Sequence, residues 1–216
     1  MKAKIKYENK IALSPHNPTC PANIDTILNT FNSSKFISFL EVLTSIHGLI
    51  PDPHFVGSGF QQVMNGGKLG IHVDFNFHKG LNLYRRLNVL IYFNKNWKEE
   101  YGGHLELWDR EMQKCVKTIP PIFNRCVVFE TSSFSWHGHP DPIRVPEGVT
   151  RKSIVLYYYT SNQGLQDAEA HWTRHRERPN SIEDNVIRPA EKMLYKWTPP
   201  IAFPLVRKIT SKFYKQ

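Results

Sequence analysis

Short runs of aromatic and β-branched residues, separated by glycine and proline, occupy the middle of the chain and constrain its fold more than any other feature. The separators include Gly66-Gly67, Gly102-Gly103 and Pro120-Pro121, which are typical of turns between strands. The pattern predicts eight strands, at residues 59–64, 69–76, 83–94, 104–108, 115–119, 126–131, 134–138 and 151–160. About eight strands suit a jelly roll, so we predict a mainly β (α+β) fold with a double-stranded β-helix core.

Helical periodicity flanks this core on both sides. Apolar spacing predicts two helices between residues 24 and 49, with the second capped within Asn32 to Ser34 and ended by Gly48. Two further helices are predicted at residues 165–178 and 182–197. We therefore expect one domain over residues 1–216, with a helical support at 1–55, the jelly roll at 56–162 and a helical extension at 163–216.

The composition indicates which kinds of binding partner and which cellular compartment to expect. The net charge of +9 favours anionic partners such as nucleic acids, nucleotides or phosphorylated sugars, although a solvated basic surface is the more ordinary explanation. The chain contains no recognisable nucleic-acid motif and no apolar run long enough to cross a membrane. Its three widely spaced cysteines predict no disulfide framework and favour a reducing, cytoplasmic compartment. Nothing in the sequence indicates an oligomeric state.

A histidine and an aspartate share one face of a predicted strand. His72 and Asp74 are two residues apart, which is the strand period, so both side chains project to the same side. An imidazole and a carboxylate are two of the three ligands that hold non-haem iron(II) while leaving positions open. His137 is the expected third ligand, and His139 competes because it shares the same face. We favour His137 because His139 directly precedes Pro140 and is expected to begin a loop.

A second polar pair opens the last predicted strand. Arg151 and Ser153 share one face there, whereas Lys152 points away. A guanidinium that donates two hydrogen bonds, with a hydroxyl beside it, suits the end of a dicarboxylate. The alternative, a surface arginine at a strand start, is weakened by the histidine and aspartate upstream.

These residues occur in a recognisable order. The ordered set is His72-Val73-Asp74, then Asn88 to Asn94 with Trp97, then Gly102 to Leu107, then His137 followed by Arg151-Lys152-Ser153. In this order the stretch from residue 60 to residue 160 resembles the prolyl-hydroxylase-like branch of the 2-oxoglutarate and iron(II) dioxygenases. The resemblance implies an enzyme with Fe(II), 2-oxoglutarate and O2 as cofactor and co-substrates. It also implies that His72, Asp74 and His137 are the catalytic metal ligands.

The resemblance also implies a co-substrate site. Tyr92 matches the tyrosine that reaches the far carboxylate of 2-oxoglutarate beside Arg151 and Ser153, and Gln62 matches a position where relatives present a polar group. Asn88 and Leu90 share the strand face of Tyr92 and are expected to line the same cavity. Arg86 lies on that face nearer the strand's start, where it is a candidate for an anionic group of the substrate or, equally, an exposed arginine paired with a carboxylate.

Three functions remain open from the sequence. The resemblance implies a hydroxylase that oxidises an unactivated C–H bond, with release of succinate and CO2, on either a peptidyl proline or a small metabolite. The alternatives are a non-enzymatic jelly-roll module with a basic surface for an anionic partner, and a metal-dependent lyase or isomerase on a similar barrel. The lyase or isomerase would have no evident use for Arg151 and Tyr92.

Overall fold

A computed structural model of the chain describes residues 3–5, 10–13, 22–161 and 169–179. Contacts divide the chain into two compact units, Met1–Arg176 and Glu177–Gln216, and the elements below belong to the first. The predicted division into a support, a core and a helical extension within one domain stays a prediction.

Two helices precede most of the sheet structure, and they break where the polar residues predict. Helix α1 is Ala22–Phe31 and helix α2 is Ser34–Thr44. The hydroxyl of Ser33 caps α2 by accepting a hydrogen bond from the backbone N–H of Phe36 at 3.4 Å. Helix α2 ends earlier than predicted from Gly48, because Ser45 adopts a left-handed conformation with φ of 57° and returns its N–H to the carbonyl of Glu41.

The strands form two sheets. In chain order they are β1 (Ala3–Ile5), β2 (Lys10–Leu13), β3 (Ile50–Pro51), β4 (Gly59–Val63), β5 (Leu69–Val73), β6 (Phe77–His78), β7 (Leu83–Tyr92), β8 (Leu105–Trp108), β9 (Cys115–Ile119), β10 (Cys126–Glu130), β11 (His137–His139), β12 (Arg151–Thr160) and β13 (Arg174–His175). A one-turn 3₁₀ helix, Glu99–Tyr101, precedes β8.

The larger sheet runs β1-β2-β4-β12-β7-β10, with β3 on β12 and β6 on β7, and the smaller runs β13-β5-β11-β8-β9. All the pairings are antiparallel.

The core lies on both faces of the larger sheet. Leu87, Val89 and Ile154 on one face pack against Leu28 and Leu40 of the two helices. Leu90, Val155 and Tyr157 are among the buried residues of the other face, which cluster with Leu105 of β8 in the smaller sheet. Two four-stranded halves, β4-β12-β7-β10 and β5-β11-β8-β9, thus enclose an interior. The predicted jelly roll is confirmed.

Two predicted elements are wrong. The strand predicted at 134–138 is instead β11, His137–His139, because residues 133–134 form a turn before it. The helix predicted at 165–178 is not formed over its described residues 169–178, where the chain is extended and β13 pairs with the edge of β5. The helix predicted at 182–197 lies outside the described residues. In the described part of the chain, no helix has the length and apolar character needed to cross a membrane.

Candidate active site

Three buried side chains converge between two paired strands of the smaller sheet. His72 lies in β5, Asp74 follows that strand directly, and His137 begins β11, whose register places it opposite His72. Residues His72 and Asp74 project together because the chain is extended there, as the strand period predicts. The ligand atoms of the three side chains all lie within 4.8 Å of one another.

The imidazoles are oriented by their own backbone. Nδ1 of His72 lies 2.9 Å from the carbonyl oxygen of Gly70, and Nδ1 of His137 lies 2.8 Å from that of Ser135. A carbonyl oxygen can only accept, so each Nδ1 carries the proton and each Nε2 presents a lone pair. Those lone pairs face the carboxylate of Asp74, with Nε2 of His72 at 3.5 Å from Oδ1 and Nε2 of His137 at 3.2 Å from Oδ2.

The electrostatics favour an ionised aspartate beside a neutral histidine. Burial alone would raise the pKa of Asp74, but the adjacent guanidinium of Arg85 opposes this, and the pKa lies well below its usual value. Burial lowers the pKa of His137, His72 lowers it further, and Asp74 offsets this in part. Electron pairs that face one another without an intervening proton repel, so the arrangement suits a cation. Two imidazoles and one carboxylate are the donor set of non-haem Fe(II).

His139 is buried near this group without being part of it. The pairing of β11 with β5 shifts register between His137, opposite His72, and His139, opposite Leu69. Gly138 lies between them, and a Cβ there would come within 2.8 Å of the carbonyl oxygens of Leu69 and Gly70. The chain approaches β5 too closely for a side chain at this position, and His137 rather than His139 completes the cluster.

The cluster opens into a cavity of about 220 Å³. Its lining combines His72, Asp74 and His137 with Arg151 and Ser153, and includes the predicted residues Asn88 and Leu90. The metal cluster and the predicted dicarboxylate site therefore share one cavity. A concave site that combines several polar side chains with an apolar lining is typical of small-ligand binding.

Arg151 is held from two sides. Its Nε donates to the carbonyl oxygen of Gly103 at 2.8 Å, and its Nη2 donates to the hydroxyl of Tyr92 at 3.3 Å. Burial lowers the pKa of Arg151, opposed by Tyr92, and burial raises the pKa of Tyr92, opposed by Arg151. Tyr92 is fully buried and contacts the arginine without lining the cavity.

Residues 58–159 match the sequence model described as the 2OG-Fe(II) oxygenase superfamily. The matched stretch, 102 of the chain's 216 residues, is thus similar to that superfamily. In sequence, the chain is 30% identical over 79 residues to mouse (Mus musculus) prolyl 3-hydroxylase OGFOD1, a match that covers 35% of this chain and 14% of the mouse protein. This confirms the resemblance to the prolyl-hydroxylase-like branch. The superfamily's Fe(II), 2-oxoglutarate and O2 suit the donor set described above.

Solved structures of two prolyl 4-hydroxylases are also similar. The enzyme from Phytophthora capsici is 22% identical with a TM-score of 0.48, and the match covers 65% of this chain and 46% of that chain. The enzyme from Pseudomonas putida is 17% identical with a TM-score of 0.45, and the match covers 71% of this chain and 73% of that chain.

Two residues predicted for the oxygenase site point elsewhere. Arg151 and Ser153 pair with Val63 and Gln61 across the strands, so Gln61 lines the cavity and Gln62 faces the opposite side. Nε2 of Gln62 donates to the hydroxyl of Thr150 at 2.7 Å. The prediction that Gln62 meets the co-substrate is therefore wrong by one residue.

Arg86 is also misplaced by the simple strand period. Tyr158 pairs with Leu87 and Tyr159 with Arg85, so β7 carries one extra residue, Arg86, at a bulge. Arg86 consequently turns away from the oxygenase cavity, and its Nη2 lies 3.3 Å from Oε1 of Glu130. The alternative of an arginine paired with a neighbouring carboxylate holds.

Besides Gln61, sequence reasoning missed Arg85, Thr173 and His175, which the fold brings to the site. Arg85 is fully buried and donates to Oδ2 of Asp74 at 2.9 Å, and only the bulge in β7, which no sequence signal marks, turns it inward. Thr173, directly before β13, and His175, at its end, line the cavity, and the ring of His175 lies 5.3 Å from that of His72. The sequence placed these two residues in a predicted helix, because their segment has helical periodicity. In the structure, the pairing of β13 with β5 overrides that local propensity.

Proposed function

We propose that this chain is an Fe(II)- and 2-oxoglutarate-dependent hydroxylase that oxidises a C–H bond of a prolyl residue in a peptide and releases succinate and CO2. One observation carries the proposal. Two imidazole lone pairs and an ionised carboxylate converge within 4.8 Å, in the same cavity as a buried arginine. The first group suits Fe(II), and the second suits the co-substrate.

The protein's part in the reaction is to hold and orient. His72, Asp74 and His137 would bind the metal, which together with 2-oxoglutarate and O2 supplies the oxidising power for the C–H bond. Arg151 and the hydroxyl of Ser153 would bind the far carboxylate of 2-oxoglutarate, where burial strengthens a charge-assisted hydrogen bond. Tyr92 would orient the guanidinium, and Leu90 would exclude water beside it.

The mouse relative supports the choice of a prolyl substrate. Its name assigns it prolyl 3-hydroxylation, and its matched stretch covers 35% of this chain. A small anionic metabolite, which the net charge of +9 would favour, is the competing substrate. A peptide and a metabolite differ in the contacts that they would make outside the cavity. Either one would contact the exposed residues Thr173 and His175 of its lining.

Anaerobic titration of the purified protein with Fe(II) and 2-oxoglutarate tests the first step. We expect the weak visible charge-transfer absorption of the chelate, which fades once O2 is admitted. A folded protein that gives no such absorption would favour a non-enzymatic binding module instead.

The substrate needs a separate assay. Proline-containing peptides and phosphorylated metabolites are each supplied to the loaded protein, and succinate formation is measured. We expect stimulation by a proline peptide and none by the same peptide with alanine in place of proline. Stimulation by a metabolite alone would overturn the prolyl assignment and keep the oxygenase.

A further inference from the structure

The two oxygens of Asp74 have different surroundings. Oδ2 accepts a hydrogen bond from Nη2 of Arg85 at 2.9 Å and another from Nδ2 of Asn88 at 2.7 Å. Each oxygen also has the lone-pair nitrogen of an imidazole beside it, Nε2 of His72 at 3.5 Å from Oδ1 and Nε2 of His137 at 3.2 Å from Oδ2. Oδ1 differs in having no N–H donor among the described residues. One carboxylate oxygen is therefore engaged by the protein, and the other is available to a cation.

The two donors are themselves locked in place. Nε of Arg85 donates to Oδ1 of Asn88 at 3.1 Å, so the arginine and the amide fix each other while both hold the carboxylate. The guanidinium carbon lies 3.3 Å from the ring centre of Tyr157 and 4.7 Å from that of Phe75. A planar guanidinium stacked on aromatic rings keeps its orientation, which a lysine would not.

Both donors lie away from solvent. Arg85 and Asn88 are exposed by only 1% and 2%. A buried charge requires a paired partner, and Asp74 supplies it. The hydrogen bonds are thus retained in the folded state rather than exchanged with water, and the carboxylate cannot rotate freely about its terminal bond.

We propose that Arg85 and Asn88 are positioning residues that reserve Oδ2 of Asp74 and thereby present a single oxygen, Oδ1, to the metal. This rests on the proposed function to the extent that the cluster binds Fe(II). A carboxylate that coordinated through both oxygens would take one more position around the metal. Restricting Asp74 to one oxygen keeps that position open for the co-substrate or O2.

Metal titration without 2-oxoglutarate tests this directly. Mn(II) binding is measured by electron paramagnetic resonance for the wild-type protein, for Arg85→Gln and for Asn88→Ser, whose hydroxyl is too short to reach Asp74. Residues that orient a metal ligand typically contribute 10–100-fold in affinity, so we expect both variants to bind Mn(II) at least ~10-fold more weakly. The visible spectrum of the Co(II)-loaded variants should also change, because that spectrum reports coordination number and geometry.

The chain offers a matched control in Arg86, which is adjacent in sequence and pairs with Glu130. Arg86→Gln should leave Mn(II) affinity within about twofold. If only the charge of Arg85 mattered, Arg85→Gln would bind Mn(II) more tightly than the wild type, because removing a positive charge near a cation favours binding. Arg85→Lys separates the two effects: it keeps the charge and, lacking the planar fork, should still bind weakly.

The outcomes are distinguishable from failure of the oxygenase proposal. If Arg85→Gln and Asn88→Ser bind Mn(II) as tightly as the wild type, the positioning role is overturned whatever the enzyme does. If the wild type binds Mn(II), the variants bind weakly and no chelate forms with 2-oxoglutarate, the positioning role stands and the oxygenase proposal fails. Circular dichroism checks the fold, and if Arg85→Gln does not fold, Asn88→Ser decides.

Discussion

Nε of Arg151 donates to the carbonyl oxygen of Gly103 at 2.8 Å, across 48 residues of chain. Gly103 adopts φ of 69°, and a Cβ there would lie 2.7 Å from Cγ2 of Ile143 and 3.0 Å from Cδ of Arg151. The glycine thus places an acceptor where a residue with a side chain would displace the arginine. The pair Gly102-Gly103, which the sequence marks only as a turn, also supports the co-substrate site.

Gly103→Ala should therefore weaken 2-oxoglutarate binding as well as the fold. Overpacking of a buried site costs about 1–3 kcal/mol, and we expect that loss in urea unfolding together with a raised 2-oxoglutarate requirement. Gly148→Ala is the control, because Gly148 has φ of 78° and no atom within 4 Å of a Cβ. It should lose stability through backbone strain alone and keep the wild-type requirement.

Arg151→Met should separate co-substrate binding from metal binding. Removing one member of a buried charge pair costs about 2–5 kcal/mol, so the 2-oxoglutarate concentration needed for the chelate absorption should rise about 30-fold or more. Mn(II) affinity should stay near the wild-type value. Lys152→Met is the control, because Lys152 is exposed on the same strand. Loss of the metal in Arg151→Met would contradict the assignment.

Much of the fold and the metal cluster could be predicted because both depend on local period. The two-residue spacing of His72 and Asp74 survives in the structure, since the register shift of β5 against β11 lies before His72. The turn residues that separate the strands, such as Gly66-Gly67, marked the core strands to within about three residues at each end.

What the sequence did not predict depends on contacts between distant segments. The bulge at Arg86 exists only in the pairing of β7 with β12, and it turns Arg85 toward Asp74. Likewise β13 forms because the edge of β5 is available to pair, and the side chain of Asn76 holds the approach by accepting from the N–H of His171 at 2.7 Å. Neither long-range contact leaves a periodic signal in the local sequence.

Substitution of each neighbouring histidine tests which one completes the cluster. His137→Ala removes a nitrogen that lies 3.2 Å from Asp74, so Mn(II) affinity should fall by more than the ~100-fold upper range for indirect effects. His139→Ala leaves all three converging side chains in place and should retain Mn(II) binding. Binding lost in His139→Ala and kept in His137→Ala would move the third ligand.

The buried imidazole of His137 should also make the metal-free protein sensitive to acid. Burial lowers the pKa of His137 below its ordinary value of 6.5, so over the interval between the two pKa values the unfolded chain binds more protons than the folded one. This contribution to stability is complete above the unfolded pKa and is lost as the pH falls toward the folded pKa.

The free energy of unfolding in the presence of a chelator should therefore decrease as the pH falls below the ordinary histidine pKa of 6.5. A single proton contributes at most about 1.4 kcal/mol per pH unit. His137→Gln should flatten this dependence, because no proton is taken up at that position in either state. His47→Gln, at an exposed position after α2, should keep the wild-type slope. Urea unfolding at several pH values measures the slope for the wild type and for both variants. Equal slopes for the wild type and His137→Gln would contradict the prediction. Added Mn(II) should oppose the loss of stability in acid, because the metal binds only the neutral imidazole.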